Sequence, residues 1–248
     1  MTSISYHAEG GVALMRMDRA DKKNALTLAM YSAMARHLEA ANNDSALRAV
    51  LIAGVPGAFS AGNDLQDFIA ASSSGGLGDP VLHFLRALVG CNKPLVAAVD
   101  GVAVGVGVTM LLHCDYVVAS QRSTFATPFV DLGLVPEAAS SLLGPRLLGP
   151  QRAFELFALG RRWDARKALS AGLINDMIED EGTEARAIEV AREITAKPPN
   201  AMAITKRLLR SDRDEVLARI DEEAEHFKAC LRGPEAMQAF TAFMTRKK

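Results

Sequence analysis

The sequence predicts an α/β fold, and two observations support that class. Short apolar segments typical of strands alternate with amphipathic helical segments through the first three quarters of the chain, and from about Ala138 onward helical segments dominate. Such alternation favours parallel strand pairing, because a parallel connection needs a crossover that a helix commonly supplies.

The first predicted elements are a strand, a helix and a buried strand. The N-terminal residues already resemble a strand, and Val12–Met17 is an apolar run that β-structure tolerates. Thr27 is a typical N-cap, and the apolar residues after it recur at steps of three and four, which predicts a helix. Ala49–Ala53 reads as a short buried strand. Residues 64–71 are predicted as a short helix and 72–78 as a mobile loop.

The middle of the chain continues the alternation. Pro80 suits the first turn of a helix that runs to about Val89. A strand at Leu95–Val99, a glycine-rich turn and a helix ending near Leu112 follow. The remaining predictions are strands over 116–119 and 173–178 and helices over 138–148, 151–159, 164–170, 183–196, 200–210, 212–231 and 234–244.

Pro198-Pro199 is a plausible hinge, which divides the chain into a core of residues 1–195 and a helical region of residues 196–248. The helices of that region are amphipathic. Their apolar face suits packing on their own domain and packing on a neighbouring subunit equally well.

Composition excludes several function classes. The 248 residues are 49% hydrophobic, and a net charge of −1 gives no sequence-wide reason to expect nucleic acid or an anionic membrane as partner. The most apolar stretch, residues 101–112, is too short to span a bilayer, and the N-terminus does not resemble a signal peptide. Three widely separated cysteines suit reduced thiols, which predicts a cytoplasmic protein.

Several common motifs are absent from the sequence. The glycines around Gly105 lack the third glycine of a dinucleotide site, because Met110 occupies that position. No Walker A sequence occurs, and the segment around Ser60 is not a nucleophile elbow. The five histidines form no i, i+4 pair, so no metal site is predicted.

Three segments do share a chemical feature. Residues 58–65, 92–107 and 127–137 each place small residues and backbone amides where a strand is expected to meet a helix. Small residues let a ligand approach the main chain, and first-turn N–H groups have no partner inside the helix. Two such turns facing each other could hold the oxygen of an enolate.

These residues resemble those of the crotonase superfamily, the enoyl-CoA hydratases and isomerases. The resemblance extends from about Val12 to Met244 and is specific in its order and spacing. It rests on residues 19–26 (RADKKNAL), 59–65 (FSAGNDL), Lys93-Pro94 with the following Val-Asp-Gly, Gly105-x-Gly107, Cys114-Asp115, 133–136 (GLVP) and Ala168-x-x-x-Gly172-Leu173-Ile174.

The resemblance implies a spiral of ββα units with a C-terminal helical region that builds homotrimers or dimers of trimers. It implies an acyl-CoA thioester as substrate, a role in fatty acid and lipid metabolism, and no permanently bound cofactor, with coenzyme A entering only as part of the substrate. The oxyanion hole of the family maps to the backbone N–H groups of Ala61 and Val106. The residues that the resemblance assigns to substrate binding are Arg19, Lys22, Ala25, Asn63, Asp64, Leu65, Phe129 and Leu132.

The sequence departs from the hydratases at the two positions where they carry glutamates. Thr109 and Phe129 stand there, and neither side chain can act alone as a general acid or base. Glu137 remains, in a context that resembles the single-acid Δ3,Δ2-enoyl-CoA isomerases. There the matching acid moves a proton from C2 to C4. An apolar pocket should raise the pKa of such a base.

Three functions stay open at this point. The first is isomerisation of 3-enoyl-CoA to 2-enoyl-CoA by Glu137. The second is other crotonase chemistry, including enoyl-CoA hydration, and the third is an acyl-CoA-binding protein without catalysis. A glutamate near a helix N-terminus can also simply interact with free N–H groups, which is the structural alternative for Glu137.

Overall fold

The computed structural model describes residues 3–64, 66–67, 78–210 and 212–246, which contain ten strands in two sheets. A six-stranded sheet has the order β1-β2-β3-β5-β7-β10, and a four-stranded sheet has the order β4-β6-β8-β9. The strands are β1 (Ile4–Glu9), β2 (Val12–Met17), β3 (Ala49–Ala53), β4 (Ala58–Ser60), β5 (Leu95–Val99), β6 (Val102–Val104), β7 (Tyr116–Ser120), β8 (Thr124–Ala126), β9 (Trp163–Asp164) and β10 (Asp176–Ile178).

From β3 to β8, consecutive strands alternate between the two sheets. β3, β5 and β7 pair in parallel in the larger sheet, and the strands that follow them, β4, β6 and β8, pair in parallel in the smaller one. Each repeat of the chain therefore adds one strand to each sheet. This repeated advance is the spiral of β-strand pairs that the crotonase resemblance predicts, and the α/β class is confirmed.

The α-helices connect and cover these sheets. Their bounds are α1 (Leu28–Asn43), α2 (Gly78–Gly90), α3 (Val106–Thr109), α4 (Ser140–Leu148), α5 (Pro150–Ala153), α6 (Ala165–Ala171), α7 (Thr183–Thr195), α8 (Pro199–Leu209), α9 (Arg213–Leu231) and α10 (Pro234–Arg246). Thr27 caps α1 as predicted, since its hydroxyl accepts a hydrogen bond from the N–H of Met30 at 3.2 Å. Within the described part of the chain, no helix is both long and apolar enough to cross a membrane.

The central strands of the larger sheet, β3 and β5, are buried on both faces. Val50 and Ile52 of β3 point into the main core, whereas Ala49, Leu51 and Ala53 belong to a second cluster that includes Ala187, Val190 and Ala191 of α7. Successive residues of a strand point to opposite faces, so a strand covered on both sides reads as a continuous apolar run. This double burial explains why β3 and β5 were predicted with correct bounds.

The C-terminal helices differ in how they pack. α9 contributes Val216, Ile220, Ala224 and Phe227 to the main core of its own chain. By contrast, α8 has no buried residue, and its Leu208 and Leu209 are 67% and 78% exposed. The apolar face of α9 thus packs on its own chain, which is one of the two alternatives that the sequence left open.

Some predicted elements differ from the structure for local reasons. The helix predicted from Ala138 begins only at Ser140, because Ala138 and Ala139 adopt left-handed conformations with φ of 62° and 55°. The helix predicted over 151–159 starts at Pro150 and continues from Phe154 as a π-helical turn. The predicted glycine-rich turn contains β6, a strand that the sequence did not predict because glycines flank its three residues. The helix over 64–71 and the loop over 72–78 lie largely outside the described residues.

Gly101 connects the two sheets in a position with no room for a side chain. It joins β5 to β6 with φ +81°, and a Cβ added there would lie 2.0 Å from the carbonyl oxygen of Gly57. Its N–H also donates to the hydroxyl of Ser123 at 3.2 Å. Only glycine satisfies both the backbone angle and the close contact.

We expect Gly101→Ala to lower the free energy of unfolding by about 3–5 kcal/mol, because it combines backbone strain with a steric clash. Gly172→Ala is the matched control, since Gly172 has φ +83° but open space around the added Cβ. The control should lose only about 1–2 kcal/mol. Denaturant unfolding measures both values, and equal losses would show that the approach to Gly57 is unimportant.

Candidate active site

Glu137 lies in a buried turn between Pro136 and α4. Its side chain is only 3% exposed. One carboxylate oxygen, Oε1, accepts a hydrogen bond from the hydroxyl of Thr109, whereas Oε2 is buried without a partner among the described residues. A buried carboxylate oxygen without a partner is unfavourable and is common where a substrate is to be handled.

The environment of Glu137 strongly favours its protonated form. Burial is the largest effect and raises the pKa to about 8, while the Thr109 hydrogen bond opposes the shift and the negative charge of Glu223 adds to it. A carboxyl group that changes charge near neutral pH is suited to take up and release protons. The prediction of a raised pKa for this base agrees with the structure.

Backbone conformation sets the direction of the Glu137 turn. Two successive residues after it, Ala138 and Ala139, have positive φ, which costs roughly 1–3 kcal/mol for each non-glycine residue. The ring of His113 donates from Nε2 to the carbonyl oxygen of Ala138 at 2.8 Å, because a carbonyl can only accept. Burial lowers the pKa of His113 to about 4, so the ring is neutral when it makes this bond.

The N-terminus of α3 lies beside the end of β4. Gly105 precedes α3 with φ +55°, and the N–H of Val106 has no hydrogen-bond acceptor among the described residues. A Cβ on Gly107 would lie 2.9 Å from the carbonyl oxygen of Ser60, so the two segments touch through their backbones. Thr109 is on the same short helix as Val106, which places the Glu137 carboxylate about one turn from that free N–H.

The other predicted oxyanion-hole donor, Ala61, does not have a free N–H. The N–H of Ala61 donates to the carbonyl oxygen of Lys23 at 2.9 Å, so it is already used within the fold. Two residues later, the N–H of Asn63 has no acceptor among the described residues, although the flanking backbone groups Gly62 O and Asp64 N both bond to Leu26. Gly62 has φ +88°, and its Cβ position is 3.0 Å from the carbonyl oxygen of Val104. The turn at Asn63 therefore lies next to the strand that leads to Val106.

Tyr31 is a site residue that sequence reasoning missed. It lies on the buried face of α1, and its hydroxyl donates to Oδ1 of Asn63. Burial raises the pKa of Tyr31 well above its usual value, and the negative charge of Glu137 raises it further. A phenol on an otherwise apolar helical face was the available signal, since a buried hydroxyl needs a partner.

Two of the polar residues assigned to substrate binding, Arg19 and Asp64, form an ion pair with each other. Arg19 pairs with Asp64 at 2.6 Å and donates to the carbonyl oxygen of Ala25 at 2.9 Å. Burial would raise the pKa of Asp64, but the hydrogen bonds from Arg19 and from backbone N–H groups lower it. Lys22 is exposed at the same loop. Leu65 lies outside the described residues.

Phe129 and Leu132 mark the apolar side of the same region. Phe129 is 6% exposed and belongs to the main core, with the half-buried Leu132 packed against that core. Gly133 follows them, and a Cβ there would lie 2.7 Å from the backbone N of Ala236 in α10. The C-terminal helix thus packs directly on this segment. The described residues contain no group of three or more side chains suited to hold a metal ion.

Comparisons with known proteins agree with this architecture. The model of the enoyl-CoA hydratase/isomerase family matches residues 7–248. A crystal structure of an enoyl-CoA hydratase/isomerase from Pseudoalteromonas atlantica T6c is 40% identical, covers 99% of this chain and 98% of its own, and superposes with a TM-score of 0.94.

Relatives with different activities are similar to the chain. Enoyl-CoA delta isomerase 2 of Rattus norvegicus is 36% identical over 98% of this chain, which spans 64% of that protein's length. The 2,3-dehydroadipyl-CoA hydratase of Escherichia coli is 28% identical over 100% of this chain and 97% of its own. The spiral of two sheets, the matching family model and these relatives together show that the chain belongs to the enoyl-CoA hydratase/isomerase family, as its motifs predicted.

Proposed function

We propose that this protein moves the double bond of a 3-enoyl-CoA thioester to position 2, with Glu137 as the only proton carrier. The observation that carries the proposal is the buried Glu137 carboxylate, which has one unpartnered oxygen and a pKa raised to about 8. The isomerase relative supports the same chemistry for a protein similar to this one.

The reaction needs one proton transfer from the substrate to Glu137 and one from Glu137 back to the substrate. Glu137 takes the proton from C2, and the electron pair of that C–H bond moves into the thioester to form a dienolate. The protonated Glu137 then gives the proton to C4, where the C3–C4 π electrons form the new C–H bond. The C1–C2 π electrons move to form the C2–C3 double bond, and the enolate oxygen restores the thioester carbonyl. One carboxylate suffices because C2 and C4 can lie on the same face of a planar dienolate.

The enolate oxygen needs hydrogen-bond donors that are already in place. We propose that the N–H groups of Val106 and Asn63 supply them, since both lack acceptors among the described residues and their turns adjoin. Removing one such donor typically costs about 3 kcal/mol of transition-state stabilisation. The hydrogen bond from Tyr31 to the Asn63 side chain would hold this turn in place.

Hydration is disfavoured by the two residues that stand where hydratases carry acids. Thr109 already uses its hydroxyl on Glu137, and the Phe129 ring is buried in the core. Neither can activate a water molecule.

The phosphates of the substrate's coenzyme A portion would contact exposed basic side chains such as Lys22, because Arg19 is already paired with Asp64. No cofactor beyond the substrate's own coenzyme A is needed for this reaction.

We further propose assembly into homotrimers or dimers of trimers in the cytoplasm. The exposed apolar residues Ile204, Leu208 and Leu209 on α8 support a contact with a second copy, because monomeric soluble proteins rarely expose a contiguous apolar patch. The three cysteines are free thiols, which suits a reducing compartment.

Glu137→Gln should lower kcat for 3-enoyl-CoA isomerisation by about 10²–10⁴-fold, because the amide has similar shape but cannot accept the proton. Product analysis with 3-enoyl-CoA measures this effect. Glu225→Gln, an exposed change on α9, is the control and should match the wild type. Full activity of the Glu137 variant would exclude this base. Wild-type turnover of 2-enoyl-CoA alone would favour hydration, and acyl-CoA binding without any turnover would favour a non-catalytic protein.

The pH profile provides an independent check. Since Glu137 must be ionised to accept the C2 proton, kcat/KM should rise tenfold per pH unit below about pH 8 and level off above it. The profile of kcat/KM reports the free enzyme, which is the state that the structure represents. Circular dichroism over the same range controls for unfolding. An acid limb near the ordinary carboxyl pKa would contradict the assignment.

Light scattering should give a particle mass three or six times the chain mass of 26.5 kDa. Replacing Leu208 and Leu209 together by aspartate should shift this mass toward the monomer, because two charges would be buried in the contact. A monomeric wild type, or an unchanged oligomer in the double variant, would overturn the proposed role of α8.

A further inference from the structure

The turn that carries Glu137 is held by a side chain from far along the sequence. Glu223 of α9 is only 5% exposed, and its two carboxylate oxygens reach different backbone groups. Oε2 accepts from the N–H of Ala139 at 2.6 Å, and Oε1 accepts from the N–H of Ser141 at 2.9 Å. These residues are separated from Glu223 by 84 and 82 positions.

The position of these bonds distinguishes Glu223 from an ordinary helix cap. Ala138 and Ala139 both have positive φ, a conformation that alanine adopts only when its surroundings hold it. Glu223 binds this strained segment through Ala139, and His113 binds it from the other side through the carbonyl of Ala138. The direction of the Glu137 side chain therefore depends on two buried groups outside its own segment.

We propose that Glu223 is a positioning residue for the reaction, acting through the left-handed Ala138–Ala139 turn to hold the Glu137 carboxylate between C2 and C4 of the substrate. The inference rests on the proposed role of Glu137 as proton carrier. Glu223 would act only through the turn, because it touches Ala139 and Ser141 and not the reacting atoms. A displacement of about 1 Å at a base that must serve two carbons is expected to slow catalysis up to about a hundredfold.

The charge of Glu223 adds a second effect. The charged or titratable groups around the two carboxylates are Tyr31, which adjoins Glu137, Arg219, which adjoins Glu223 and donates to Ser141, and the neutral His113. Among the described residues, the Coulomb contribution to the pKa of Glu137 comes from Glu223, which raises it. Removing that negative charge should lower the pKa of Glu137 and move the acid limb of kcat/KM to lower pH.

The test compares Glu223→Gln with Glu225→Gln, which removes the same charge from an exposed position of the same helix. Glutamine keeps the size of the side chain but leaves one N–H of the turn facing an amide NH₂. In the isomerase assay, we expect Glu223→Gln to lower kcat about tenfold or more, change KM less than twofold and shift the acid limb of kcat/KM to lower pH. Glu225→Gln should change none of these values.

Glycine in the turn separates the structural effect of Glu223 from the effect of its charge. Ala138→Gly with Ala139→Gly removes the strain of the left-handed turn, so this background should fold even if Glu223→Gln alone does not. Combined with Glu223→Gln, the glycines should restore folding and part of kcat, while the acid limb stays at lower pH because the charge is still missing.

Two results would overturn the inference. One is a folded Glu223→Gln variant with wild-type kcat and an unshifted pH profile. The other is a loss of activity that only follows the unfolded fraction, with no change in the profile. Glu137→Gln in the same assay separates this failure from that of the proposed function: if that variant is inactive while Glu223→Gln is normal, only the role of Glu223 is wrong, whereas an active Glu137→Gln excludes the base itself.

Discussion

The cost of burying a carboxylate is the constraint on which the site depends. Glu137 is removed from water, makes one hydrogen bond to Thr109 and leaves one oxygen without a partner among the described residues. Burial of this kind disfavours the charged form, which raises the pKa of Glu137 toward neutral pH and makes the group a usable base. A second nearby acid to activate water would add further repulsion, and the threonine at position 109 avoids it.

Contacts within the fold hold the buried Glu137 carboxylate and the neighbouring turns in place. The two sheets advance together, so the ends of β4 and β6 place the turns at Asn63 and Val106 side by side. Glu137 reaches α3 through Thr109, while its own turn is bound by His113 and Glu223. Glu137 is therefore held by hydrogen bonds to buried side chains, and the two free N–H groups are held by backbone contacts between their turns. Such preorganisation is what stabilisation of an enolate requires.

Local sequence patterns predicted the elements that are buried on both sides or clearly capped. β3 and β5 are continuous apolar runs, and α1 begins at a threonine cap, so each carries its signal within a few residues. β6 and β8 are three residues long and flanked by turns, and their stability comes from pairing with distant strands. The late start of α4 has the same origin, because the Ala138–Ala139 conformation depends on Glu223, 84 residues from Ala139.

The candidate site shows the same division between local and distant causes. Glu137 could be identified from its motif, since the residue type itself carries the chemistry. The free N–H of Asn63 could not, because backbone N–H groups look alike in a sequence and only the fold shows which of them already have an acceptor. Lys23, within another motif, occupies the N–H of Ala61 and leaves that of Asn63 free. The free N–H is thus two residues further along the loop than the motif alone predicts, at Asn63, whose side chain accepts a hydrogen bond from the hydroxyl of Tyr31.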